Sequence, residues 1–127
     1  MWHTMKGERK PVYWVGSSRR DIRGLPEAAR KVIGTTLDKV QEGDKPPNAK
    51  PLKGFGSAKI LEINADANGE AFRGVYTVKF ARAVYVLHVF HKKSKQGIAI
   101  PRQDMDLIKS RLRLAEQDHA SLDEEEY

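Results

Sequence analysis

Two neighbouring strand patterns carry residue types that suit chemistry on a phosphodiester. The first, at residues 72–78, is an apolar and aromatic run that contains Arg73. The second, at residues 84–95, is an apolar run that ends in imidazole and ammonium groups. The candidate side chains at this end are His91, Lys92, Lys93 and Lys95. Guanidinium and ammonium groups bind phosphoryl oxygens, so the pattern indicates a protein that acts on phosphodiesters, with RNA as the favoured substrate.

The candidate reaction is cleavage of RNA by its own ribose 2′-hydroxyl. This reaction needs a group that removes a proton, a cation that stabilises the phosphorane, and a proton for the leaving 5′-oxygen. His91 suits the proton steps, because an unperturbed imidazole has a pKa of about 6.5. Arg73 and a lysine suit the phosphoryl charge. The alternative is that residues 91–93 form a solvated strand end, and spacing alone leaves both interpretations open.

Strand alternation predicts which of these side chains meet. Arg73 lies on the strand face opposite the mainly aromatic set, which we expect to pack against helices. If Phe90 packs with that aromatic set, His91 and Lys93 emerge on the face that carries Arg73. We therefore expect cationic and titratable groups to converge on an open sheet surface.

The residue types argue against a metal site or a cofactor. His88 and His91 are three positions apart on a strand, so they point to opposite faces and cannot share a metal ion. We expect His88 to be a half-buried histidine with a hydrogen-bond partner. The chain has no cysteine, which excludes disulfides, cysteine nucleophiles and thiolate zinc sites.

The charge distribution favours a nucleic-acid partner. The net charge is +6, but five of the 17 acidic residues lie in the last ten positions, which carry no Lys or Arg. The rest of the chain therefore has a net charge of +11. Such a surplus attracts nucleic acid through counterion release. The alternative is a basic body kept soluble by an acidic tail.

Periodicity and turn signals predict a single α+β domain. A chain of 127 residues is long enough for one core and too short for two ordinary domains. We predict the domain at residues 1–117 and a disordered acidic tail at 118–127. Short turns between the later strands force antiparallel pairing. The predicted elements are a strand at 11–15, helices at 17–24 and 26–43, strands at 59–64, 71–80 and 84–91, and a helix at 101–117.

Location and partner surfaces follow from the same patterns. No apolar run is long enough to span a bilayer and no secretion signal is present, so we expect a cytoplasmic protein without membrane contact.

A loop at residues 44–56, rich in Pro, Gly and Lys, either faces a substrate or is merely a long connection. Leu107 and Leu114 point away from the core-facing stripe of the last helix. They are either isolated exposed leucines or the contact for a partner protein.

Four segments together resemble the RelE/HigB toxin superfamily of type II toxin–antitoxin systems. The likeness covers about residues 12–116 and is greatest with the phage-derived HigB-like branch. Its most specific part is the apolar strand that ends in Lys-Lys-Ser-Lys. The segments are Pro-Leu-Lys-Gly-Phe-Gly at 51–56, Phe-Arg-Gly-Val-Tyr at 72–76, Leu-His-Val-Phe-His-Lys-Lys-Ser-Lys at 87–95, and 98–112.

This resemblance implies a fold, an activity and partners. The fold is RelE-like, with an antiparallel sheet packed against two N-terminal helices and a C-terminal helix. The activity is that of a toxin that cuts mRNA on the ribosome as an endoribonuclease, without a metal. The partners are the ribosome, mRNA and a cognate antitoxin, often a helix-turn-helix protein in this branch.

The resemblance also suggests site residues. Arg73 matches the arginine of the family's Tyr-Arg strand, with Phe72 in place of the tyrosine, and Lys92 and Lys93 match the basic pair after the last strand. His91 joins this catalytic set on its chemistry alone. The RNA-binding candidates are Lys50, Lys53, Lys59 and Lys95, and the antitoxin-binding candidates are Leu107 and Leu114.

Two alternatives belong to different functional classes. The first is a ParE-like poison of DNA gyrase, which shares the fold without RNA chemistry, and the second is a non-enzymatic basic module that only binds nucleic acid. Fold cannot separate these three functions, because the chemistry depends on the site.

Overall fold

The computed structural model of this chain describes residues 9–57, 59–92 and 100–125. In these ranges the chain forms three helices and five strands. In chain order they are β1 (Val12–Trp14), α1 (Ser18–Arg23), α2 (Glu27–Gln41), β2 (Ala49–Pro51), β3 (Ile60–Asn64), β4 (Ala71–Thr77), β5 (Val84–Lys92) and α3 (Arg102–Glu125).

Helix α2 has the predicted signals at both ends. Pro26 occupies its N-cap position, and Gly43 follows its last turn with a φ of 93° and donates its N–H to the Val40 carbonyl. Its buried residues recur at the expected helical spacing. Gly74 of β4 lies directly beneath the helix, where an added Cβ would be 3.5 Å from Ile33. A small residue at this position lets α2 pack closely on the sheet.

The five strands form one sheet in the order β1-β5-β4-β3-β2. Strands β3 to β5 pair antiparallel, as predicted, and the β3–β4 turn has Asn68 and Gly69 at positive φ, the geometry of a tight hairpin. Strand β2 forms inside the segment 44–56 that was predicted as a loop, and it pairs antiparallel to β3. At the other edge of the sheet β1, whose pairing the sequence did not predict, pairs parallel to β5. Parallel pairing is possible because the intervening helices and strands provide a long crossover.

Helices cover both faces of the sheet. We call them the α2 face, which α1 and α2 cover, and the α3 face. The α2 face buries Ile33, Ile63, Phe72, Tyr76 and Val86, among others. The α3 face buries Ile60, Val75, Leu87 and Ile108, with Phe90 and Met105 packed against them. The predicted layers, two N-terminal helices against the sheet and a C-terminal helix, are confirmed.

A β-bulge in β5 reverses the expected alternation of side chains. Val75 pairs with His88, but Tyr76 pairs with Val86, so Leu87 is an extra residue in β5. Beyond this bulge, Val89 packs on the α2 face and Phe90 on the α3 face. An extra residue shifts every later side chain to the opposite face, which unbroken alternation does not predict.

Helix α3 is longer than predicted. It continues beyond Gln117 to Glu125, so the prediction of a disordered tail from residue 118 is wrong over these positions. Contacts with the sheet hold this part of the helix. Tyr85 donates a hydrogen bond to Asp118 at 2.8 Å, and His119 stacks on Phe80. In the part of the chain that the structure describes, no helix is both long enough and apolar enough to cross a membrane.

Candidate active site

Arg73 lies on β4 and projects onto the α3 face. Its side chain is only 11% exposed. Its Nη1 donates to Asp66 Oδ1 at 2.7 Å and to the Phe72 carbonyl at 2.8 Å. These two hydrogen bonds fix the plane of the guanidinium group, which is the property that recognition of a phosphate requires.

Glu62 of β3 lies beside Arg73 and was not among the predicted site residues. Its Oε2 is 3.8 Å from Arg73 Nε, which is too long for a hydrogen bond. Both atoms are buried and have no hydrogen-bond partner. Burial raises the pKa of the Glu62 carboxyl, and the charges of Lys92 and Arg73 oppose this rise without cancelling it. A lone carboxylate in the apolar run Ile-Leu-Glu-Ile was the sequence signal that could have identified it.

Lys92 completes a cluster of charges with these two residues. It is the last residue of β5 and is 8% exposed. It pairs with Ala71, two positions before Arg73 on β4, so both side chains project to the α3 face. Its charge acts on Glu62. We name Glu62, Arg73 and Lys92 the acid–base cluster.

A cavity of about 510 Å³ opens between the β2 side of the sheet and the start of α3. Glu62 forms part of its wall, which connects the cavity to the acid–base cluster. Lys50 is the β2 residue directly opposite Glu62 in register, and Lys50 and Lys53 are both exposed. The full lining is Lys50, Pro51, Leu52, Lys53, Gly54, Glu62, Ile100 and Met105. The cavity therefore combines apolar side chains with cations at its edge.

His91 lies on the opposite side of the sheet from this cluster. It pairs with Phe72 and stacks on that ring with centroids 4.9 Å apart, on the α2 face. Its Nε2 is 3.3 Å from Glu70 Oε1. The expectation that His91 converges with Arg73 is wrong, because the β5 bulge places Phe90, and not His91, on the Arg73 face.

His88 is buried on the α3 face with a partner at each ring nitrogen. Its Nε2 is 2.7 Å from Asp104 Oδ1, and its Nδ1 is 3.4 Å from Arg111 Nη1. Arginine can only donate, so Nδ1 accepts and Nε2 carries the proton that it donates to Asp104. The predicted hydrogen-bond partner of His88 is confirmed, but the histidine is buried and not half-buried.

Arg111 of α3 connects this histidine to the rest of the fold. It donates to the carbonyl of Leu87, the bulge residue, at 3.0 Å and to Ser17 Oγ at 2.9 Å. Burial lowers the pKa of the Arg111 guanidinium, and the charge of Asp21 opposes this effect. The buried arginine thus ties α3 to the irregular part of β5 and to the start of α1.

The other predicted site residues are distributed over the surface. Lys59 is exposed just before β3 and is not among the residues that line the cavity. Lys93 and Lys95 lie outside the described residues, so their predicted roles stay predictions. Leu107 and Leu114 are exposed on α3, at 36% and 51%. Among the described residues, no group of three or more His, Asp or Glu side chains could hold a metal ion.

Comparison with known proteins supports the fold and the family. The family model described as phage derived protein Gp49-like (DUF891) matches residues 20–113. The structure is similar to that of a mutant of the Escherichia coli toxin RelE in the free state, with a TM-score of 0.54, 17% identity, and coverage of 83% of this chain and 96% of that one. This likeness confirms the predicted RelE-like fold.

A second solved structure is more distant. It is the toxin–antitoxin complex RelBE2 from Mycobacterium tuberculosis, with a TM-score of 0.47, 20% identity, and coverage of 72% of this chain and 100% of that one. No match is found among curated protein sequences.

Proposed function

This chain belongs to the Gp49-like family of phage-derived proteins, and on that premise we propose that it is the toxin of a type II toxin–antitoxin system. Its activity is ribosome-dependent cleavage of mRNA by attack of a ribose 2′-hydroxyl on the adjacent phosphate, without a metal. The observation that carries the proposal is the acid–base cluster beside a cavity with lysines at its edge.

Arg73 and Lys92 bind the scissile phosphate in this proposal. The negative charge on the phosphate grows as the phosphorane forms, and fixed cations in a partly buried site stabilise it without reorganising. The hydrogen bonds to Asp66 and to the Phe72 carbonyl hold the Arg73 guanidinium in place before RNA arrives. Lys50 and Lys53 attract the RNA backbone towards the cavity, and the exposed Lys59 adds to the positive charge that attracts it.

The ribosome supplies the RNA geometry that this small site lacks. The structure describes three histidines, and none of them is placed to exchange a proton with a substrate bound at Arg73. His91 is on the other face, His119 stacks on Phe80, and both nitrogens of His88 have partners. A site with so few groups gains most when the messenger is already held in a reactive conformation, because positioning alone lowers the barrier.

A helix-turn-helix antitoxin is the proposed partner on α3. Leu114 lines a groove of about 350 Å³ together with Tyr13, Trp14 and Val15, next to the β1 edge of the sheet. Leu107 is one heptad before Leu114, so both leucines lie on the same side of the helix. An apolar surface at a sheet edge suits a protein partner, which would cover the leucines and pair with the exposed strand.

Induced expression with mapping of mRNA 5′ ends tests the proposal. We expect growth arrest and new 5′ ends in phase with codons for the wild type, and neither for Arg73→Ala. Arg30→Ala is the matched control, since Arg30 is an exposed arginine on α2. Arrest with intact mRNA and broken DNA would instead indicate a gyrase poison. Salt-sensitive nucleic-acid binding without arrest would indicate a non-enzymatic module.

A further inference from the structure

Glu62 is in an environment that ordinary packing does not explain. Its Oε2 and the Arg73 Nε are both buried, 3.8 Å apart, and neither has a hydrogen-bond partner. A structural ion pair between a carboxylate and a guanidinium closes to about 2.7–2.9 Å, because the charges are expensive to bury unless they are paired. Here Arg73 gives its short charged contact to Asp66 instead, at 2.7 Å. One oxygen of the Glu62 carboxylate is therefore left without a hydrogen bond, which a structural ion pair does not explain.

Three cations surround this carboxylate. Lys50 is directly opposite Glu62 on β2, Arg73 is beside it on β4, and the charge of Lys92 reaches it from β5. Glu62 also lines the cavity of about 510 Å³, and its side chain is 19% exposed. A carboxylate that borders an open cavity and adjoins phosphate-binding cations is placed to contact the hydroxyl next to a bound phosphate.

We propose that Glu62 is the general base that accepts the proton of the ribose 2′-hydroxyl, an inference that rests on the function proposed above. The O–H bond of the hydroxyl breaks and its proton passes to a carboxylate oxygen of Glu62. The 2′-oxygen forms a bond to phosphorus, and the bond from phosphorus to the 5′-oxygen breaks. The 5′-oxygen takes a proton from water, and Glu62 returns its proton to the solvent. The products are a 2′,3′-cyclic phosphate and a 5′-hydroxyl.

The electrostatics of the site favour this role. A general base is most effective when its pKa approaches the working pH, and burial moves the Glu62 carboxyl in that direction. Proton transfer also removes a negative charge from between Arg73 and Lys92. Their full positive charge then acts on the phosphorane at the moment when its own negative charge is largest.

The test is single-turnover cleavage of mRNA on ribosomes by purified protein across a range of pH. We expect Glu62→Gln to lower the rate by about 10²-fold or more and to abolish the acidic limb of the pH profile. Glu62→Asp keeps the carboxylate and should retain part of the rate with that limb intact. Glu27→Gln is the matched control, because Glu27 is an exposed carboxylate on α2 and should leave rate and profile unchanged.

The possible results distinguish a general-base role of Glu62 from a positioning role and from a different cleavage route. Wild-type cleavage with an unchanged rate in Glu62→Gln would overturn the inference and leave the proposed function standing. A slower Glu62→Gln with an unchanged pH profile would also overturn it, since Glu62 would then only position Arg73. Products with a 5′-phosphate would exclude the 2′-hydroxyl route. No cleavage by the wild type would overturn the proposed function together with this inference.

Discussion

His91 stacks on Phe72 with the ring centroids 4.9 Å apart, which fixes the imidazole on the α2 face while Arg73 projects to the α3 face. His91 and Lys92, the described part of the basic motif at the end of β5, therefore lie on opposite sides of the sheet. Its most obvious proton-transfer group is separated from its phosphate-binding groups. The resulting predictions differ from those that the motif alone suggests.

Replacing His91 should have little effect on cleavage. We expect His91→Ala to cleave mRNA at close to the wild-type rate, because the side chain contacts Phe72 and Glu70 and not the acid–base cluster. Rates on ribosome-bound mRNA measure this directly. A loss as large as that of Arg73→Ala would show that His91 reaches the RNA from the other face. It would contradict the proposed separation of His91 from the phosphate-binding residues.

Replacing Arg73 should abolish most of the activity. We expect Arg73→Ala to lose about 10²–10³-fold in rate, by analogy with the loss of one oxyanion-hole donor. Arg73→Lys should recover only part of this loss, because lysine keeps the charge but not the bidentate geometry. Thermal unfolding of both variants controls for stability. Equal rates for Arg73→Lys and the wild type would mean that charge alone matters at this position.

Two glycine replacements should change stability in opposite directions. Gly16 has a φ of 58°, and an added Cβ would be 2.7 Å from Arg111 Nε, whose group cannot move without losing its contacts to Leu87 and Ser17. We expect Gly16→Ala to lower the free energy of unfolding by about 1–2 kcal/mol or more. Gly34 lies inside α2 with nothing within 4 Å of an added Cβ, so Gly34→Ala should raise that free energy by about 0.5–1 kcal/mol.

Urea denaturation of both variants at one pH checks this pair. Because the substitution is the same, any general effect of alanine on the unfolded chain is shared. A Gly16→Ala protein as stable as the wild type would show that the hydrogen bonds of Arg111 to Leu87 and Ser17 contribute little to the free energy of unfolding.

Tyr76 should make the fold sensitive to alkali. Burial raises its pKa to about 12, above the ordinary value of 10.0. Between these two values the folded state keeps a proton that the unfolded state has released, so the free energy of unfolding falls as the pH rises, by up to about 1.4 kcal/mol per pH unit. Tyr76→Phe removes this contribution. The difference between the two denaturation curves isolates it, and parallel curves across this range would contradict the prediction.

Leu114 should be needed for neutralisation but not for toxicity. We expect Leu114→Glu to arrest growth even when a helix-turn-helix antitoxin that neutralises the wild type is co-expressed, because a charge on this exposed surface opposes apolar contact. Val32→Glu is the matched control, an exposed apolar residue on α2. Full neutralisation of Leu114→Glu would place the antitoxin elsewhere on the toxin.

Much of the fold could be predicted from local patterns. Helical spacing identified α2, and the short turns around Asn68 and Gly69 identified the antiparallel strands. The parallel pairing of β1 could not be predicted, since the sequence does not show which sheet edge a terminal strand joins. The extension of α3 depends on the distant Tyr85 and Phe80, which convert an apparently solvated acidic segment into a packed helix.

The site was predicted only in part, and the reason is the bulge. Period-two alternation places every side chain of β5 correctly up to Leu87 and reverses the face of every residue after it. Arg73 did not depend on β5, so its position opposite the aromatic set agrees with expectation. The face that carries it was expected to be open and is instead covered by α3. Glu62 became a candidate only when the strand register placed it beside Arg73. The lone carboxylate in an apolar strand is a signal in the sequence, but only the register shows which residues it lies near.

The pairing of Val12 with Val84 also determines when the sheet can be completed during protein synthesis. Strands β3, β4 and β5 form a local meander with short loops to close, whereas β1 leaves the ribosome first and must wait for a partner made much later. The start of α3, which borders the cavity, emerges later still. The nascent chain therefore cannot assemble its cleft until residues 100–105 have been translated. For the proposed toxin, this delay would protect the very ribosome that makes it.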